Sequence, residues 1–257
     1  NEKDRIALMG KNGAGKSTTI NAALGLIHKE AGHVSILGKD ELDNETKEQI
    51  GVVFDGSNYP EILSPKKINQ IMKNIYGSWD EQAYFRLLKQ FSLPLDKQIK
   101  QFSKGMKMKY SLALALSHNA ELLIMDEPTS GLDPLVRGQL LKILTEYMEN
   151  GGKGVFFSTH ITSDLDKIAD MLIMIDNGRI VFRDEKDTLL DTYRIVKGDS
   201  GALTTDTRKL FLSISETDFG FTGITKQISE VRSYIPNIMV ERPTIEDIML
   251  GNIGGEK

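Results

Sequence analysis

The chain contains no cysteine. Disulfides, thiol nucleophiles and thiolate metal sites are excluded, and the absence fits a reducing compartment. Long hydrophobic runs are also lacking. The longest, such as Leu112–Leu116 and Leu122–Met125, are core-sized and fall well short of the roughly 18 residues of a membrane span. Basic charge is not in excess: 32 Lys and Arg stand against 36 Asp and Glu, for a net charge of −4. No general positive field therefore draws the chain to nucleic acid. No secretory leader is legible, because the charged start Asn1–Arg5 is followed by only a short apolar stretch before Gly10.

Against these absences one stretch stands out. Gly10-Lys11-Asn12-Gly13-Ala14-Gly15-Lys16-Ser17-Thr18 fits G-x-x-x-x-G-K-[ST], a phosphate-cradling loop. The short run Arg5–Met9 precedes it as an apolar strand candidate. Ile20, Ala23, Leu24 and Ile27 follow on one face of an expected helix. Gly13 and Gly15 let backbone come close to phosphate oxygens, and successive N–H groups at a helix start bind anions. The nucleotide-binding candidates are Asn12, Gly13, Ala14, Gly15, Lys16, Ser17 and Thr18. Lys16 neutralises phosphate charge, and the Ser17 hydroxyl is a Mg²⁺ ligand candidate.

Strand and helix patterns alternate along residues 1 to 195. His33–Leu37, Ile50–Phe54, Leu122–Met125 and Gly154–Ser158 read as strands. Met171–Ile175 and Ile180–Phe182 flank the hairpin signal Asn177-Gly178. Between 62 and 119 the pattern is helical, with Ile68, Ile71, Met72 and Ile75 at helical spacing, then Phe85–Phe91 and Met106–Leu116. A further helix is expected over Pro134–Asn150. The unalternated run Leu122–Met125 suits a parallel strand covered on both faces. The expectation is an α/β fold with a mostly parallel sheet: core residues 1–61, a helical insert at 62–119, more core at 120–195, and a small C-terminal appendage at 196–257. Within that appendage only Thr244 and Asp247 give a clear signal, the start of a final helix.

The second chemical element is Asp126-Glu127, pushed out at the end of an apolar strand, where ligands sit in open α/β sheets. Asp126 is a Mg²⁺ candidate. Glu127 is the candidate general base for an attacking water.

Several ordered motifs resemble those of the ATP-binding-cassette (ABC) ATPases, a family with a P-loop NTPase core. Phe102-Ser103-Lys104-Gly105-Met106 stands where the family has its L-S-G-G-Q signature. Asp126-Glu127-Pro128-Thr129-Ser130-Gly131-Leu132-Asp133 matches its acidic motif and D-loop, and Ser158-Thr159-His160 its switch histidine. The resemblance covers about residues 1 to 190. It implies two cassettes closing head-to-tail over two ATP molecules with Mg²⁺, as a homodimer or a paralogous heterodimer. Ser103 and Gly105 would reach the partner's ATP, Asp133 would sit at the seam, and His160 would hold the γ-phosphate beside Glu127 and Lys16. Asp55 falls where the family has a glutamine and is a further metal candidate. Lys104 and Met106 replace a glycine and a glutamine. The family's adenine-stacking aromatic lies on strands upstream of Gly10 that this chain does not contain.

Phe102–Tyr110, Ala115–Asn119, Trp79-Asp80, Leu93–Lys97 and Glu241–Met249 resemble one subgroup, the ATP-binding subunits of bacterial ABC-2-type exporters linked to antimicrobial-peptide or multidrug efflux. That implies a separate membrane permease, a peripheral place on the cytoplasmic face of the membrane, and no nucleic-acid partner. The permease would touch Asp55–Ile68, with Tyr59, Pro60 and Ile62 as contacts. Two other readings stand beside this one: a soluble ABC ATPase unconnected with transport, and a non-hydrolysing regulatory or immunity subunit.

Overall fold

The computed structural model describes residues 5–40, 43–56, 59–149 and 154–253. Strand β1 (Arg5–Met9) leads into the phosphate loop, and helix α1 (Lys16–Ala23) leaves it. The helix is shorter than its apolar spacing suggests. Gly25, at φ 68°, turns the chain out of the helix, so Leu24 and Ile27 lie beyond it and Ile27 is 41% exposed. The strand expected over His33–Leu37 is absent. Leu37 and Gly38 both take positive φ, and Ile36 and Lys39 exchange backbone hydrogen bonds around them at 2.9 and 3.0 Å. These residues form a tight primed turn, with only Ile36 pressed into the core.

Helix α2 (Asn44–Glu48) is capped by Asp43, whose carboxylate accepts from Thr46 N at 2.7 Å. Strand β2 (Ile50–Val53) follows. The helical insert comprises α3 (Pro65–Ile75), α4 (Glu81–Gln90) and α5 (Lys104–Leu116). Its interior is aromatic: Tyr84 and Tyr110 are fully buried, their hydroxyls meet at 3.0 Å, and Tyr84 donates to the Pro65 carbonyl at 2.9 Å. The chain returns through β3 (Leu122–Met125), α6 (Pro134–Glu149), β4 (Gly154–Thr159), α7 (Thr162–Ile168), β5 (Met171–Asp176) and β6 (Arg179–Glu185). Helix α6 was expected to reach Asn150, which lies outside the described residues.

These strands form one sheet in the order β2-β3-β4-β1-β5-β6, parallel except for β6. Strand β3 shows why its sequence is a continuous apolar run. Leu123 and Met125 face the main core, while Ile124 faces a second cluster with Ile20 of α1, so both faces are dry. The loops after β3, β4 and β1, three adjacent strands, all emerge at the same sheet edge.

Beyond α8 (Lys186–Thr192) the chain builds a second sheet. It runs β7 (Arg194–Gly198), α9 (Thr205–Arg208), β8 (Ser213–Thr217), β9 (Gly220–Thr225), α10 (Ile228–Tyr234), β10 (Met239–Glu241). The strands lie antiparallel in the order β10-β7-β9-β8, a β-α-β-β-α-β plait. Val196, Phe221, Val231 and Ile235 are its buried core. Helix α11 (Ile245–Ile253) opens where expected: Thr244 Oγ1 accepts from Asp247 N at 3.1 Å and the Asp247 carboxylate accepts from Thr244 N at 2.8 Å. It packs on α7 and β9, and its Ile245 and Ile248 join the core of the first sheet.

Candidate active site

The phosphate loop is shaped by its glycines and by the β5–β6 turn. Gly13 and Gly15 stand at φ 80° and 107°, a region that costs any other L-residue energy. A Cβ at Gly10 would run into the Ile175 carbonyl. Gly178, in the turn, donates its N–H to the Ala14 carbonyl at 2.9 Å. Asn12, Gly13, Ser17 and Thr18 are exposed, Gly15 is half-buried, and Ala14 and Lys16 are buried. The Lys16 ammonium donates to the carbonyls of Gly10 at 2.8 Å and Lys11 at 3.1 Å. It also stands 3.0 Å from Glu127 Oε1, an ion pair without hydrogen-bond alignment.

Glu127 has φ 49°, an uncommon conformation for a non-glycine residue and one concentrated at functional sites. Its other oxygen, Oε2, lies 2.8 Å from His160 Nδ1. The result is a continuous contact chain, Lys16–Glu127–His160, carried by the loops after three neighbouring strands. Ser158 completes it. The hydroxyl accepts from Glu127 N at 2.9 Å and donates to Asp126 Oδ1 at 2.5 Å, so one buried group orients both acidic residues. Ser158 appeared in the sequence motif, but its role depends on β3 and β4 lying side by side and is not visible in the pattern.

Other assignments rest on packing. Asp164 is fully buried and looks from sequence like an ordinary first-turn acid of a helix. It accepts from Arg137 Nε at 2.6 Å and from Thr129 Oγ1 at 2.6 Å, tying the loop 128–133 to α6 and α7. Asp133 caps α6, its carboxylate accepting from Leu135 N and Val136 N at 3.1 and 3.0 Å. Ser103 caps α5 through Met106 N at 3.2 Å. Gly105 sits where a Cβ would approach Val136 to 3.1 Å, so α5 and α6 start in close contact. Ser103, Gly105 and Asp133 thus stand exposed or half-exposed near the α5–α6 starts, apart from the Lys16–Glu127–His160 chain. Asp55 contacts Lys104, Nζ to Oδ1 3.2 Å.

Among the described residues no group of three or more His, Asp or Glu side chains could hold a metal by themselves. Mg²⁺ asks for little more: it takes one or two protein oxygens, keeps waters, and binds mainly through nucleotide phosphates. Ser17, exposed at the loop, and Asp126, oriented by Ser158, suit that chemistry.

A family model described as ABC transporter matches residues 1–130, half of the chain. The chain belongs to the ABC transporter family. A second model, described as an AAA domain, matches residues 96–165 of the cassette. An ABC transporter ATP-binding protein of Synechocystis sp. is 31% identical over 69% of this chain; the chain spans only 52% of that relative. A lantibiotic transport ATP-binding protein of Streptococcus pyogenes is 34% identical, over 70% of this chain and 79% of that one. Among solved structures, the ATP-binding subunit of an ABC transporter is 32% identical with a TM-score of 0.66, covering 74% of this chain and 81% of its own.

Proposed function

We propose that this cassette binds and hydrolyses Mg-ATP, closes head-to-tail on a second cassette, and drives a membrane permease that exports a peptide or drug. The observation that carries the reading is the Lys16–Glu127–His160 chain. Phosphate oxygens entering the loop compete with Glu127 for the Lys16 ammonium. The carboxylate so freed keeps His160 on Oε2 and faces the γ-phosphate. Glu127 then takes a proton from water as the water oxygen bonds to the γ-phosphorus and the bond to the β–γ bridging oxygen breaks. His160 holds the γ-phosphate oxygens, and Lys16 carries the charge that moves onto the leaving group. Ser17 and Asp126 would hold Mg²⁺, which when bound neutralises charge shared between the β- and γ-phosphates. Ser103 and Gly105 at the start of α5 would meet the γ-phosphate bound by the other cassette, with Asp133 at the seam.

The permease reading is supported by a cleft of about 280 Å³ between the sheet and the helical insert. Its walls include Leu24, Val52, Tyr59, Met72 and Trp79. Burial pushes the Tyr59 hydroxyl up to about 12, in keeping with its place against the apolar part of these walls. Of the three contacts expected for a permease, Tyr59 lines this cleft, whereas Pro60 and Ile62 are absent from its walls and Ile62 is 66% exposed. Among the described residues no helix is long and apolar enough to cross a membrane, which fits a peripheral place on the cytoplasmic face. The lantibiotic-transport relative supports export of an antimicrobial peptide.

The test is Glu127→Gln. Turnover should fall by roughly 100-fold or more, while ATP accumulates in a stable dimer on size exclusion. Wild-type turnover in this variant would remove Glu127 as general base. ATP binding without any hydrolysis in the wild-type chain assayed with its permease would favour the regulatory reading instead.

A further inference from the structure

The segment after β2 is fastened along one side of α5. Asp55 pairs with Lys104 at 3.2 Å, and Glu61 pairs with Lys107 at 2.7 Å. Between them Tyr59 meets Tyr110 edge-on at 5.5 Å between ring centres. The segment's backbone is held as well, because the Glu61 carbonyl accepts from Lys100 N at 2.9 Å and the Leu63 carbonyl from Ile99 N at 3.0 Å. Residues 104, 107 and 110 follow one another at the three-residue spacing of a single helix flank.

Lys104 has the most informative place in this series. It is the first residue of α5, directly after the cap Ser103. Its side chain crosses Gly131: a Cβ there would stand 3.0 Å from Nζ and 3.6 Å from Cδ and Cε, and Gly131 itself has φ 67°. Lys104 therefore touches three parts at once. These are the end of β2 through Asp55, the loop 128–133 through Gly131, and the helical insert on which it sits.

We infer that Asp55 and Lys104 form a positioning pair: the carboxylate, acting through the lysine, sets where Ser103 and the first turn of α5 stand relative to the loop 128–133. The inference rests on the reading that Ser103 completes the nucleotide site of a second copy. It gives Asp55 a task other than holding metal. Both side chains are about half exposed, so the pair adds little to folding stability. Its effect belongs to the geometry of the assembled dimer.

The experiment uses the full chain with its permease. Asp55→Asn, Lys104→Met, the double variant and the charge exchange Asp55→Lys/Lys104→Asp are assayed for turnover against ATP and against Mg²⁺. In parallel, ATP-driven dimerisation is measured for the same substitutions on a Glu127→Gln background. Each single change should lower kcat about fivefold, with the KM for ATP and the Mg²⁺ concentration for half-activation held within about twofold. The double variant should be no worse than either single one, and the exchange should recover about half of wild-type turnover. Dimer affinity should follow the same order.

Two results would overturn the pair. One is an Asp55→Asn requirement for Mg²⁺ raised about fivefold or more, with Lys104→Met unaffected, which would make Asp55 a metal ligand. The other is additive losses in the double variant, which decides the matter even if the exchange variant fails to fold. Absence of any ATP-dependent dimer in the Glu127→Gln parent would remove the second-copy reading itself, and the pair's role with it. Dimerisation with normal order but no wild-type hydrolysis would remove only the hydrolytic reading and leave the pair standing.

Discussion

The parallel strands that carry the phosphate loop are covered on both faces, unlike their antiparallel neighbour β6, which is mostly exposed; the sheet from Arg194 to Glu241 keeps one face partly open. In the first, Leu123 and Met125 point into one cluster and Ile124 into another. In the parallel strands polar residues lie at the strand ends, where the candidate site residues stand. In the second, β8 is Ser-Ile-Ser-Glu-Thr and β9 is Gly-Phe-Thr-Gly-Ile-Thr, and only four residues form the buried centre. The difference separates two kinds of dependence. Around the first sheet the same buried polar groups support folding and orient the candidate site residues. In the second, the buried groups, Thr225 with its hydroxyl on the Leu210 carbonyl among them, are there for packing.

Substitutions can break or sharpen that contrast. Asp164→Ala should cost about 3–5 kcal/mol, because it leaves the Arg137 guanidinium without its buried partner. It should also lower turnover, since Thr129 loses its hold on α7; denaturant unfolding and ATPase assays on one preparation check both. Phe221→Ala should cost about 3–4 kcal/mol by leaving a cavity beside Val196. Turnover per folded molecule should stay within about twofold. A large loss of activity there would mean that the second sheet is coupled to the chemistry and the contrast is wrong. Thr244→Ala removes the cap of α11 and should cost about 1 kcal/mol, seen as a small fall in Tm.

The smallest effect belongs to Arg5. It grips Asp170 through Nε at 2.9 Å and Nη2 at 2.7 Å. Burial pushes the Asp170 carboxyl up, but the Arg5 hydrogen bonds and charge outweigh it and leave it below the usual carboxylate range. A lowered folded value means that the stabilisation is present above the unfolded value, near 3.9, and is lost as pH falls through the folded one. With the pair partly exposed and screened by solvent, Arg5→Ala should cost only about 0.5 kcal/mol at neutral pH. The gap to the parent chain should close in strongly acidic unfolding experiments.

The same contrast explains what could be read from the sequence. Parallel strands buried on both faces appear as unbroken apolar runs, so β1, β3, β4 and β5 were legible, and the loops after them carry motifs at fixed spacing. The expected strand at His33–Leu37 had the right composition but lacked a partner; Leu37 and Gly38 turn it back on itself. The second sheet was not legible as strands. Ile224 on one side of β9 meets α11 while Phe221 on the other meets the plait's own core, so a six-residue strand shows no clean alternation. The site was legible where neighbours in sequence are neighbours in space. Ser158's double role, the Asp164 knot and the Asp55–Lys104 contact join residues 27 to 49 positions apart, and no local pattern encodes them.

Lys16 has a consequence for how nucleotide-binding data on this chain are interpreted. By donating to the carbonyls of Gly10 and Lys11, the side chain props open the loop it belongs to, so it is a strut as well as a charge. Replacing it with alanine or methionine deletes both at once. The affinity lost would then combine missing phosphate attraction with the entropy of a loop that must be ordered anew at each binding event. Amide exchange over residues 10–15 in the unliganded variant would separate those two losses, since losing phosphate attraction leaves the nucleotide-free loop unchanged whereas losing the strut loosens it.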